Sequence, residues 1–134
     1  MRKGFTLLEL IIVVIIVAIL AGLGVPQFIK VVERAKASEG VSILGAYRDS
    51  QLRYYSEYQA YTDMPGSLDV TAPTSLKNFN TPDVGEANPS SATQGDNLAR
   101  ITNTGKTPYT LSIAANGSIY CTPATNCPTG FINN

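Results

Sequence analysis

The residues with chemical potential are few: a Gly4-Phe5 bond behind a short basic start, one carboxylate, Glu9, inside an apolar run, and two cysteines, Cys121 and Cys127. An acidic residue among hydrocarbon loses its hydration, so it is costly and points to a function. The even cysteine count fits one disulfide in an oxidising compartment. A bridge between Cys121 and Cys127 would close a small loop and stabilise the fold by about 2 kcal/mol in the chain-entropy account. Two thiols without histidine make half of a zinc site, so a free pair or a metal site is the less favoured reading. The chain has no histidine, which removes His-based triads and His general acid/base chemistry. No nucleophile and base are clustered either, so no enzyme, cofactor site or metal site is expected. Lys and Arg number 10 and Asp and Glu number 10; that balance offers no basic face for nucleic acid.

The elements that must carry these residues differ between the two ends. Mean hydropathy is +0.05, yet apolar residues crowd the first third, and Thr, Ser, Asn, Gly and Pro fill the rest. From Phe5 to Val25 there are 21 residues, of which 15 are Phe, Leu, Ile or Val. A helix of roughly 20 apolar residues crosses a hydrocarbon core. On an insertion scale those residues contribute roughly −7 kcal/mol against about +3 for Glu9, so insertion wins. Arg2 and Lys3 lie on the N-terminal flank and should keep that end cytoplasmic. A secretory signal has a shorter apolar core and a small-residue cleavage site after it, which this segment lacks. A plain membrane anchor would not explain Glu9 near its start.

Gly4-Phe5-Thr6-Leu7-Leu8-Glu9, preceded by Lys3 and followed by an apolar helix, resembles the prepilin-peptidase site of type IV pilins and type II secretion pseudopilins. The resemblance covers roughly residues 1–60. It implies removal of residues 1–4 as a leader peptide and N-methylation of the freed amine of Phe5. It also implies that Glu9 pairs with the Phe5 amine of a neighbouring subunit during filament assembly. Opposite charges attract far more strongly at low dielectric than in water, and the pair removes the penalty of a buried lone carboxylate. The alternative for Glu9 is a side chain that merely snorkels to the headgroups.

Gly22, Gly24 and Pro26 interrupt the run. Proline cannot donate a helical bond and presses on the preceding turn, so a kink or local melting is expected there. Residues 27–58 contain no Pro and read as a continued helix. Phe28, Val31, Val32 and Ala35, then Val41, Leu44, Tyr47, Tyr54 and Tyr58, form its expected apolar stripe. A helix over residues 5–58, with a transmembrane half at 5–25, would be about 80 Å long. Tyr47, Tyr54, Tyr55, Tyr58 and Tyr61 read as one aromatic packing cluster.

Residues 59–134 should form a globular head. From Asp63 to Gln94, Pro65-Gly66, Pro73, Pro82 and Asn88-Pro89 mark a long irregular connection. Strands are expected at Asn97 to Thr102, Pro108 to Ile113 and Ser118 to Cys121. Asn116-Gly117 between the last two predicts a hairpin with a type I′ turn. Three strands on an amphipathic helix give an α+β fold. Asn116-Gly117-Ser118 matches a glycosylation sequon, but its turn role explains it. Asp63, Asp69, Asp83, Glu86 and Asp96 are scattered without EF-hand spacing. Major pseudopilins typically carry a C-terminal calcium loop, and no equivalent follows Asp96.

The resemblance therefore implies a structural subunit of a type IV pilus, serving adhesion, motility or DNA uptake. Its partners would be copies of itself in a helical filament, the prepilin peptidase/N-methyltransferase, and inner-membrane assembly machinery. The precursor would sit in the inner membrane as a single-pass protein, and the assembled form would be extracellular. A type II pseudopilin is the first alternative. An uncleaved, membrane-tethered binding module is the second.

Overall fold

The computed structural model describes residues 4–73, 76–85 and 97–131. The fold is α+β: one long N-terminal helix, α1 (Leu7–Tyr58), then a short 3-10 turn (Pro65–Ser67) and a four-stranded antiparallel sheet. The strands are β1 (Asp83–Val84), β2 (Asn97–Thr102), β3 (Thr110–Ala114) and β4 (Ile119–Thr122), side by side in chain order. The chain divides into two compact units, one ending at Glu33 and one beginning at Arg34.

The first unit is helix. Its run Ile11-Ile12-Val13-Val14-Ile15-Ile16-Val17 is β-branched throughout, a composition that loses side-chain freedom in a helix and favours strands in water. In hydrocarbon the order reverses, because a lone segment must satisfy every backbone group internally and only a helix does so. Every large apolar side chain from Phe5 to Val31 is half or more exposed. α1 continues through Gly22, Gly24 and Pro26 without a break. Local melting is therefore not seen; Pro26 simply has no N–H for the carbonyl of Gly22.

In the second unit α1 buries Ala37, Gly40, Leu44, Tyr47, Ser50 and Gln51. The three- and four-residue spacing is that of one helix face. This face overlaps the expected one in Leu44 and Tyr47, with Val41 and Tyr54 packed at its edge, but it is not identical to it. Phe28, Val31 and Tyr58 are exposed, Val41 is half-buried, and the small residues Ala37 and Gly40 take its centre. Small side chains there let the sheet approach: a Cβ on Gly40 would lie 2.9 Å from the Phe79 ring and 3.1 Å from Leu111. α1 ends at Tyr58, where Gln59 turns left-handed at φ 54 and its N–H returns to the Tyr55 carbonyl at 2.8 Å. That is the usual helix-ending geometry, here without the usual glycine.

The sheet lays Ile101, Leu111 and Cys121 in one cross-strand row and Ala99, Ile113 and Ile119 in another. Both rows pack with Ala37, Leu44 and Tyr47 in the main core. The register shifts between Asn97 and Ala99, and Leu98 at that irregularity joins Tyr61 in a second small cluster. β2 has the expected bounds, and β3 and β4 lie one or two residues later than expected. β1 falls inside the stretch expected to be irregular; Phe79 extends this edge by bridging to Asn103.

The hairpin turn also differs. Of Asn116 and Gly117 only Gly117 has a positive φ, +89. The Gly117 N–H donates to the Ala114 carbonyl at 2.9 Å, and the Ala114 N–H to the Ser118 carbonyl at 3.0 Å. The loop is thus three residues long, a tight turn followed by a left-handed glycine, rather than the two-residue type I′ turn. Asn116 Oδ1 accepts from the Ser118 N–H at 2.9 Å, the local role that its side chain takes in turns.

Candidate assembly site

The start of α1 is built by two side chains three residues apart. Thr6 precedes the first helical residue, and its hydroxyl accepts from the Glu9 N–H at 3.3 Å. Glu9 reaches back: its Oε2 accepts from the Thr6 N–H at 2.8 Å and from the Thr6 hydroxyl at 2.9 Å. This reciprocal pair is a capping box, which supplies partners to donors that the first helical turn leaves open. It sets the helix start at Leu7, two residues beyond the expected Phe5. Gly4, Phe5 and Thr6 lie outside the helix and are exposed, so the Gly4-Phe5 peptide is presented as non-helical chain.

Glu9 thus has a role within its own subunit that the sequence reading did not assign. The pattern Thr-x-x-Glu before an apolar run was the available signal. The box engages Oε2 alone among the described residues, and a carboxylate has acceptor capacity on both oxygens. Phe5 and Glu9 line one shallow groove with Leu10, Ile12 and Val13, so the aromatic residue and the carboxylate named from sequence are neighbours. Gly22 and Gly24 meet nothing: a Cβ added at either would have open space within 4 Å.

The remaining singled-out residues lie in the second unit. Cys121 and Cys127 form a disulfide. It closes the loop after β4, and Phe131 beyond it packs on the main core. Arg34 holds the same tail, its Nε–H donating to the Thr129 carbonyl at 2.7 Å. The tyrosines do not form one cluster. Tyr47 is buried in the core, Tyr54 stacks on Tyr58 at 4.5 Å, and Tyr55 stacks on Tyr61 at 4.7 Å. Burial pushes the Tyr47 and Tyr61 hydroxyls above their ordinary pKa, whereas the neighbouring Glu57 carboxylate does so for Tyr58.

Two of the scattered acidic residues are in ion pairs. Asp83 accepts from Arg100 at 2.8 and 3.0 Å. Asp69 accepts from Arg53 at 2.7 and 2.8 Å and from the Ser50 hydroxyl. These donors, Arg53 first, hold the Asp69 carboxyl down at about 2. Glu86 and Asp96 lie outside the described residues. The Gln51 amide was also missed from sequence: buried, it bonds both to the Thr62 carbonyl at 2.7 Å and to the Thr62 N–H at 3.1 Å.

Residues 1–25 match the prokaryotic N-terminal methylation motif. The chain is 42% identical over 67 residues to the type IV major pilin protein PilA of Myxococcus xanthus, across 50% of this chain and 30% of that protein. It is 33% identical over 75 residues to the type IV major pilin protein PilE1 of Neisseria gonorrhoeae, across 56% of this chain and 46% of that one. It is 49% identical over 43 residues to the type IV major fimbrial protein FimA of Dichelobacter nodosus, across 32% of this chain and 27% of that one. The chain thus spans less than half the length of each of these relatives. By its N-terminal region, with the methylation motif and the apolar helix that follows, the chain is similar to type IV major pilins.

Proposed function

We propose that this chain is a structural subunit of a type IV pilus, cut after Gly4, N-methylated at Phe5 and polymerised through its apolar helix. The observation that carries the reading is the first unit itself. Its large apolar side chains from Phe5 to Val31 are all half or more exposed, and they surround one carboxylate, Glu9. A helix of that kind needs lipid before assembly and other copies of itself afterwards. Before assembly the precursor spans the inner membrane with its basic N-terminus in the cytoplasm; afterwards the filament is extracellular.

In the filament core the methylated Phe5 amine of one subunit meets Glu9 of another. The capping box leaves Glu9 Oε1 for that amine while Oε2 stays on Thr6. Gly22, Gly24 and Pro26 form the stretch where helical bonding is cheapest to give up during packing. The prepilin peptidase/N-methyltransferase and the inner-membrane assembly machinery are the partners this route requires. Adhesion, motility and DNA uptake are the tasks such a fibre serves.

The test is filament recovery from cells producing the intact chain or its Glu9→Ala variant. The intact chain should shear from the surface as fibres, and the variant should be made and held in the membrane with fibres reduced or lost. Fibres in equal amount from Glu9→Ala would contradict the charge pair.

A further inference from the structure

A groove of about 410 Å³ lies along the last turns of α1 and the segment after the 3-10 turn, within the second unit. Arg53, Tyr54, Glu57, Tyr58, Ser67 and Asp69 line it, together with Ser50. Its volume lies in the range of small-molecule sites. Nothing in the assembly chemistry above uses it.

The lining selects a ligand class by what it contains and what it lacks. No aliphatic side chain lines it, which disfavours lipid and other apolar ligands. Its charged groups are one cation, Arg53, and two anions, Glu57 and Asp69, a net of −1 that disfavours phosphates and other anions. What remains is flat and hydroxyl-seeking. Tyr58 is 58% exposed and backed by Tyr54 at 4.5 Å with 29° between the rings, so its outer surface is a supported platform.

Beside the platform stands a fixed polar plane. Arg53 meets Asp69 through two bonds, at 2.7 and 2.8 Å, and the buried Ser50 hydroxyl bonds the same carboxylate. A guanidinium has five N–H donors; two go to Asp69, which leaves three. The Asp69 carboxylate takes those two bonds, the Ser50 hydroxyl and its own backbone N–H, which fills its about four acceptor sites. The Arg53 donors are thus held at set positions with their geometry already determined, and preorganised groups lose little entropy on binding.

We propose that this groove binds a neutral pyranose sugar. The C–H face of a sugar ring is weakly positive and suits the negative face of an aromatic ring. Its hydroxyls both donate and accept, and so match the remaining Arg53 donors, the Glu57 carboxylate and Ser67. A quaternary ammonium, which the net charge of −1 admits, is the competing ligand for tyrosines beside carboxylates, but it would leave the Arg53 donors and the Ser67 hydroxyl unused. The site requires neither cleavage after Gly4 nor polymerisation, so it stands or falls separately from the filament reading.

The test uses the full chain in lipid nanodiscs without sugar headgroups, observed by saturation-transfer NMR. The probes are methyl glucopyranoside, N-acetylglucosamine, N-acetylneuraminate and tetramethylammonium. The neutral sugars should receive saturation and the other two should not. Tyr58→Ala should weaken sugar binding about tenfold, the loss of roughly one stacking contact. Tyr58→Phe and Tyr55→Ala, the latter in the other stacked pair, should retain it. Absence of transfer to both neutral sugars, binding unchanged in Tyr58→Ala, or preference for tetramethylammonium would each overturn the assignment. Because Tyr58 is largely exposed, its truncation leaves the core intact, and an unchanged melting temperature checks this.

Discussion

Gly40 lies against the ring of Phe79 so closely that a single methyl group at residue 40 would stand 2.9 Å from Cζ of that ring. Phe79 is itself packed edge-on against Tyr109, and the added methyl would also stand 3.1 Å from Leu111 Cδ1; both neighbours are buried, so neither has room to give. Alanine in a helix is worth about 1 kcal/mol over glycine, but overpacking a filled core costs roughly 1–3 kcal/mol. Gly40→Ala should therefore lower the thermal midpoint despite its better helix propensity. Gly45, on the same helix with nothing within 4 Å of its Cβ position, supplies the control: Gly45→Ala should raise it.

The Gln51 amide ties the chain after α1 to the helix through both backbone groups of Thr62. Replacement by Met keeps the length and removes both bonds, leaving a buried N–H and C=O without partners. The loss should be about 2 kcal/mol or more, since each orphaned backbone group costs roughly 1–3 kcal/mol. Denaturant unfolding of the intact protein in micelles measures it.

Asp69 gives the head an acid-sensitive contact. Its carboxyl lies at about 2 in the folded chain against an ordinary 3.8, because Arg53 and Ser50 bond its charged form. A lowered carboxylate pKa contributes stability above the unfolded value and loses it as pH falls through the folded one. The stability gap between the intact chain and Asp69→Asn should thus be constant near neutrality and close as pH falls from 3.8 toward 2. Melting temperatures across that window test it, and a gap that widened on acidification would contradict it.

The disulfide between Cys121 and Cys127 closes a short loop, for which the chain-entropy account gives about 2 kcal/mol. Reduction should lower the melting temperature and loosen Phe131 and the Arg34–Thr129 contact behind it. Hydrogen exchange over residues 123–131 should rise on reduction, with β2 and β3 little affected. Exchange there unchanged by reductant would mean that packing alone holds the tail.

What could be read in advance, and what could not, follows from how far apart the cooperating residues lie. β2 was legible from Leu98 and Ile101, although the register shift between Asn97 and Ala99 breaks its alternation, and the hairpin because Asn116-Gly117 names a turn. The turn's type was not, because it depends on where β3 ends, and Ala114 pairs one residue further than the pattern suggested. β1 is two residues held by β2, and so short a strand leaves no periodicity of its own. On the helix, Leu44 and Tyr47 were legible as core, but Ala37 and Gly40 were not, because they count for little on any hydrophobic tally, although their small size is what admits Phe79. At the site, Gly4, Phe5 and Glu9 were visible as a motif. The Thr6–Glu9 box was equally local but was overlooked, since Glu9 had already been given a partner in another subunit.

The most direct test of the central claim is the intact mass and N-terminal sequence of the chain in material sheared from the cell surface. A chain beginning at N-methylated Phe5 is expected in those fibres. A cut chain that stays out of sheared material would instead fit the secretion-system pseudopilin. An uncut chain beginning at Met1 and confined to membranes would contradict the filament reading outright.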